Sequence, residues 1–192
     1  MSVAGLILAA GESRRMGRPK ALLEYRGETF LDRLTGLLAA RCSPVIVVLG
    51  AAAEEIRLRA AGNATLVINP DYRSGQTSSL QCGLGTVPAE AEGVLFTLVD
   101  HPAVARETVD ALLDFPGGGV LRVPRYQGRR GHPVWFSREL IPEFLALSVD
   151  GAARDVVRRH ADRTGFVDVN DPGVVADIDD LAAYRALTGA LV

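Results

Sequence analysis

Apolar residues along this chain fall in short unbroken runs. Between the runs lie polar stretches in which leucine or valine recurs every three or four positions. Val3 to Ala10 is the first run, and its length and the glycine that ends it predict a buried strand. Ala21 to Tyr25 predicts a short extended piece. Thr29 opens a helix with Asp32 at the reciprocal capping position, and Leu31, Leu34, Leu37 and Leu38 line the face that meets a sheet. Pro44 stops any continuation, and Val45 to Leu49 predicts a second strand. A short helix over Glu54 to Ala61 and a third strand over Ala64 to Asn69 follow, with a turn at Asn69-Pro70-Asp71.

Ser74 to Leu80 reads as a loop entering a helix. Gly93 to Val99 predicts another buried strand, ending at Asp100-His101-Pro102, and Val109, Leu112 and Leu113 mark the next helix. Gly117-Gly118-Gly119 precedes a strand over Val120 to Val123. Gly128 to Gly131 forms a basic loop before a strand over His132 to Phe136. Ser137 and Gly151 flank two helical stretches, and Val156, Val157 and His160 share one face of the second. Gly165 to Val169 and Val174 to Ile178 are expected to close the sheet, and Leu181 to Leu187 to form a terminal helix. Strands alternating with helices predict an α/β fold, a three-layer sandwich on a mainly parallel sheet.

With 192 residues, one domain is expected. An apolar fraction of 48% suits a soluble α/β chain, and no stretch reaches the ~18 apolar residues of a membrane span. A net charge of −2 argues against a general nucleic-acid binder. Cys42 and Cys82 have no metal-site spacing and are expected free and buried, which fits a reducing cytoplasm. No basic segment precedes an apolar core at the N-terminus, so no signal peptide is expected.

The chemistry concentrates after the first run. Leu8-Ala9-Ala10-Gly11-Glu12-Ser13-Arg14-Arg15-Met16-Gly17-Arg18-Pro19-Lys20 joins a strand end to a loop rich in cations and poor in bulk. Such a loop can wrap backbone N–H groups round an anion while its cations neutralise charge. Its spacing is neither that of a P-loop nor that of the dinucleotide fingerprint. It sits at the carboxyl end of the first strand, where open α/β sheets bind ligands, and it reads as a nucleoside triphosphate cradle. A solvated basic βα turn is the alternative.

Asp100 ends an apolar strand, where a carboxylate costs free energy unless its charge is used. Holding Mg²⁺ against a triphosphate is one use, and capping the following helix is another. His101 is a poor ligand for so hard a cation and reads as packed or facing a second substrate. Asp177 and Asp179 would share one face of an extended segment, where a cation between them would relieve their repulsion. An acidic helix N-terminus is the alternative. Gly75, Ser78 and Ser79 offer N–H groups and hydroxyls to a base or ribose at a helix start, with Asn69 and Asp71 just upstream. Arg129, Arg130, Gly131 and His132 form a basic loop suited to an anionic substrate, or a solvated hairpin.

The opening loop resembles the signature of nucleotidyltransferases that join a nucleotide to a phosphorylated acceptor. Together with Gly131-His132-Pro133 and Asp150-Gly151-Ala152-Ala153-Arg154, it is similar to the molybdenum cofactor cytidylyltransferases. The resemblance implies a Rossmann-like fold of the nucleotide-diphospho-sugar transferase type. Residues 1–100 would then mainly bind nucleotide and 101–192 mainly the acceptor. It implies a catalytic set of Arg15, Lys20 and Asp100, with Mg²⁺ on Asp100 and Asp177 or Asp179. Nucleotide would contact Leu8, Ala9, Ala10, Gly11, Ser13, Arg15, Lys20, Asn69, Asp71, Gly75, Ser78 and Ser79. A phosphorylated pterin acceptor would meet His101, Arg130, Gly131 and His132. The Ala9-Ala10-Gly11 form leans towards CTP over GTP. The Asp-Ile-Asp stretch is followed by Asp180-Leu181 where relatives usually carry Thr-Pro, so either aspartate remains open as ligand. The resemblance also implies delivery to a molybdoenzyme or an insertion chaperone. Other phosphorylated acceptors, or a non-catalytic cofactor-binding module, remain alternatives. Trp135 reads as core packing, with stacking on an acceptor ring as the other possibility.

Overall fold

The computed structural model describes residues 2–60, 62–148 and 150–189. The chain begins with β1 (Val3–Ala9) and passes through the cation-rich loop. A small hairpin of β2 (Glu24–Tyr25) and β3 (Glu28–Thr29) leads into α1 (Phe30–Ala39). The sequence supports this start: the Thr29 hydroxyl accepts from the Asp32 N–H at 3.0 Å and donates to the Asp32 carboxylate at 2.7 Å. Next come β4 (Val45–Leu49), α2 (Ala53–Arg59), β5 (Thr65–Ile68), α3 (Gln76–Leu84) and β6 (Gly93–Leu98). The second half holds α4 (Arg106–Leu113), β7 (Leu121–Tyr126), β8 (Arg129–Arg130), β9 (Val134–Ser137), α5 (Ile141–Leu145), α6 (Ala153–Arg159), β10 (Thr164–Asp168) and α7 (Leu181–Thr188).

The main sheet runs β10-β7-β9-β6-β1-β4-β5, with β8 paired to β7. β1 lies parallel to both β4 and β6, while β9 is antiparallel to β6 and β7. The alternation of side chains divides the core in two. Val3, Ile7, Val45, Val47 and Leu95 pack under α1 and α4 with Leu34, Leu38 and Leu112. Leu6, Leu8, Ile46, Val48 and Phe96 pack on the other face with Leu80 of α3, Phe144 of α5 and Val156 of α6. That is the expected three-layer α/β/α sandwich with a mainly parallel sheet.

Several local expectations change. Val174 to Ile178 is no strand: Pro172–Val175 is a 3-10 turn, and the chain then runs irregularly to Asp180. Asp171 starts the turn by accepting from Gly173 N–H, and Pro172 suits its first position. The extended piece at Ala21 begins instead as a 3-10 turn, Lys20–Leu22. The basic loop is a hairpin in which Arg125 and Tyr126 pair with Arg130 and Arg129. Of the cysteines, Cys42 is buried and Cys82 only half-buried. The expected helix end at Ala61 lies outside the described residues. Trp135 is packed, 3% exposed, with the Arg122 guanidinium 4.1 Å over its ring. Among the described residues no helix is long and apolar enough to cross a membrane.

Candidate active site

β1 delivers the cation-rich loop to the carboxyl edge of the sheet. Ser13 adopts a left-handed conformation, φ 50°, which turns the loop back on itself. Its hydroxyl accepts from the Lys20 backbone N–H at 3.0 Å, and Met16 is tucked into the core. These two anchors fix the loop while Arg14 and Arg15 stay exposed.

Lys20 is brought to the carboxylates from both distant segments. Its Nζ donates to Asp179 Oδ1 at 2.6 Å and to Asp100 Oδ2 at 3.2 Å. Arg15 donates to the other oxygen of Asp179 at 3.0 Å. Lys20 and then Arg15 hold the Asp179 carboxyl below its usual range, so it is ionised at neutral pH. Asp100 does not cap the next helix. Its Oδ1 is buried and has no hydrogen-bond partner.

A cleft of about 620 Å³ opens beside this cluster. Leu8, Ala9, Ala10, Gly11 and Ser13 line one wall, with Arg15 and Lys20. Gly75 and Ser79 line the opposite wall, and Asp100 and Asp179 stand at the inner end. The volume lies within the range of small-ligand sites. Asn69, Asp71 and Ser78, expected to meet the nucleotide, are not among the residues that line the cleft. Asn69 is 3% exposed; its Nδ2 donates to Ser78 and Ser79 hydroxyls at 3.0 Å each, and its Oδ1 accepts from Asp71 N–H at 2.9 Å. It therefore holds Ser79, which lines the wall. Glu12, which the sequence did not single out, pairs with Arg14 and lies 3.4 Å from Arg73 across the cleft mouth.

A second cleft, about 390 Å³, shares Leu98, Asp100 and Asp179 with the first. Arg129, Arg130, Gly131 and His132 line it, with His101 and Asp177. The His101 and His132 rings lie 4.9 Å apart, and Phe96 meets His132 edge-on at 5.5 Å. Burial pushes the His132 pKa down to about 3, with His101 adding to the shift. Burial also lowers that of His101, against the opposing charges of Asp100 and Asp177. Both rings are neutral at pH 7, and both Nδ1 atoms are buried without partners.

Asp177 and Asp179 do not lie on a strand. Ile178 between them is buried, and both carboxylates border the second cleft, but Asp179 is the one that reaches Lys20. Asp180 caps α7, accepting from Ala183 N–H at 2.8 Å. No group of three or more His, Cys, Asp or Glu gathers as a metal cage among the described residues. A cation here would need oxygens from a substrate. The residues fit one that brings them: Asp100 and Asp179 both offer hard oxygen donors, and Asp100 Oδ1 accepts no hydrogen bond, with His101 Nε2 3.8 Å away.

Residues 5–164 match the profile of the MobA-like NTP transferase domain. The chain is 34% identical to nicotine blue oxidoreductase of Paenarthrobacter nicotinovorans, over 96% of each chain. It is 30% identical to molybdenum cofactor cytidylyltransferase of Escherichia coli, over 73% of this chain and 72% of that protein. Among solved structures it resembles Rv0371c of Mycobacterium tuberculosis in complex with manganese, with a TM-score of 0.83, 31% identity and full coverage of both chains.

Proposed function

The chain belongs to the MobA-like NTP transferase family, and from that premise we propose that it transfers CMP from CTP to the phosphate of a molybdopterin-type cofactor, releasing pyrophosphate. One observation carries the reading: Lys20, Asp100 and Asp179 meet where two clefts join. Two substrates placed in those clefts would present their phosphates to each other at that junction. The family relationship to a named cytidylyltransferase supports the choice of acceptor and of CTP.

An acceptor phosphate oxygen attacks the α-phosphorus of CTP in line. The new P–O bond forms as the bond to the bridging oxygen breaks, and that oxygen leaves with pyrophosphate. The acceptor is already anionic, so no general base is required. The barrier lies in bringing anions together and in charge growing on the leaving group, and positioned cations lower both. Lys20 and Arg15 turn their charge from Asp179 to the triphosphate. Leu8 to Gly11 and Ser13 cradle the nucleotide together with Gly75 and Ser79, supported by Asn69, Asp71 and Ser78. Asp100 and Asp179 would hold Mg²⁺, which would neutralise phosphate oxygens when bound. His101, Arg130, Gly131 and His132 bind the acceptor. Residues 1–100 thus serve mainly the nucleotide and the remainder mainly the acceptor, within one domain. The enzyme would work in the cytoplasm and pass its product to a molybdoenzyme or an insertion chaperone.

The test is pyrophosphate release with each of the four nucleoside triphosphates, Mg²⁺ and molybdopterin. CTP should support release and the others much less. Preference for GTP would move the reading to guanylyl transfer, and release only with a sugar or alcohol phosphate would change the acceptor. Binding without release would leave a cofactor-binding module.

A second reading rests on the relative named nicotine blue oxidoreductase, which matches 96% of this chain. It assigns the clefts to the two substrates of an oxidation–reduction reaction. Triphosphate-independent electron transfer between an added donor and acceptor would favour it.

A further inference from the structure

Asp171 is 8% exposed, and its carboxylate accepts three hydrogen bonds. Oδ2 takes Ala105 N–H at 2.9 Å and the Thr108 hydroxyl at 2.7 Å, and Oδ1 takes Gly173 N–H at 2.8 Å. Two of these donors stand at the start of α4, beyond the loop that carries Asp100 and His101. The third opens the strap that leads to Asp179. Asp171 therefore staples one side of the site to the other.

The strap, residues 171–179, pairs with no strand, so few bonds fix its course. Val174 O accepts from His132 N–H at 2.9 Å, and Ile178 N–H donates to Asp100 O at 2.9 Å. Packing restricts it at two more points. A Cβ on Gly173 would lie 2.4 Å from Ala103 O, and one on Gly131 1.9 Å from Val174 O. The strap thus touches the acceptor-side wall at Val174, the Asp100 backbone at Ile178, and Lys20 at Asp179.

We propose that Asp171 is a positioning residue for nucleotidyl transfer: its buried carboxylate sets the strap that places Asp179 against Lys20 and Val174 against His132. This inference rests on the transfer reading. Charge-assisted bonds to backbone donors suit the task, since each is stronger than a neutral one and each direction is fixed. An amide could not replace the carboxylate. Ala105 N–H and Gly173 N–H require acceptors on different oxygens, so Asp171→Asn turns an NH₂ towards one of them.

Misplacing reacting groups by about 1 Å can cost on the order of 10²-fold in rate. Asp171→Asn should lower kcat by roughly 10–100-fold, raise the KM of the acceptor, and leave metal-free CTP binding unchanged, because the cradle loop is anchored separately by Ser13. Thr108→Val, which keeps both backbone donors satisfied, should retain most of the turnover. The deciding experiment is a double-mutant cycle with Asp179→Asn, read as kcat, beside amide exchange at Ile178 and His132. In the Asp179→Asn background Asp171→Asn should cost little more, and in the single variant both amides should exchange faster while β1 and β4 stay protected. If Asp171→Asn fails to fold, the smaller loss in Thr108→Val must vanish in the same background. Additive losses, or unchanged exchange at both amides, would overturn the inference while leaving transfer intact. A wild-type chain that releases no pyrophosphate with any acceptor would overturn the transfer reading instead, and Asp171's positioning role with it.

Discussion

Lys20 and Asp179 lie 159 positions apart in the chain and 2.6 Å apart in the fold. Asp100, two residues past the end of the central strand β6, also meets Lys20, at 3.2 Å. A half-buried lysine side chain between two carboxylates is costly to assemble unless its charge is used. The expected use is a triphosphate.

Lys20→Met should lower kcat by roughly 10²–10³-fold, the loss typical of removing one charge-stabilising donor. The fold should persist, because Lys20 belongs to neither core layer. Pyrophosphate release and a thermal melt on the same sample check both halves.

Asp100→Asn should abolish metal-dependent turnover and leave metal-free CTP binding intact or tighter, since one negative charge near the triphosphate is gone. Calorimetric titration with and without Mg²⁺ separates the two effects.

Asn69→Ala should act on the cleft through Ser79. It strands the donor and acceptor groups that Asn69 now satisfies, at a cost of about 1–3 kcal/mol. The CTP KM should rise while the acceptor KM stays level. A two-substrate kinetic matrix reads this, and equal effects on both substrates would count against the assignment.

His132 gives a pH signature in stability. Its pKa in the fold is about 3, below the unfolded value near 6.5. Between those values the unfolded chain binds the extra proton, so stability falls as pH falls. At pH 5 the loss is about 2 kcal/mol relative to pH 7.5, and His132→Gln should lack it. Urea unfolding across that range shows the difference, and parallel curves for the two chains would refute it.

Much of this was legible in the sequence, and the boundary is physical. Unbroken apolar runs gave the parallel strands, because a strand covered on both faces has little choice of composition. Asp100 stood out because a carboxylate at the end of an apolar strand has few structural uses, and Lys20 because it closes a loop rich in cations and poor in bulk. The strap did not stand out. Val174 to Ile178 is a mostly apolar run that reads as a strand, and the capping of Pro172-Gly173 by Asp171 and the close contact with Ala103 make its start a turn. That Asp179 and not Asp177 meets Lys20 depends on how far the Lys20 side chain reaches, which no local pattern records. Asp171 reads locally as an Asp-Pro turn, since two of its three bonds go to residues more than 60 positions away.

The central claim is that the Lys20, Asp100 and Asp179 cluster serves transfer at the α-phosphorus. The most direct measurement follows CTP labelled at either the α or the γ phosphorus, with Mg²⁺ and molybdopterin. The α label should appear in the acceptor and the γ label in pyrophosphate, and neither transfer should occur with Lys20→Met. An α label that stays out of the acceptor, or a γ label released as orthophosphate, would contradict the account.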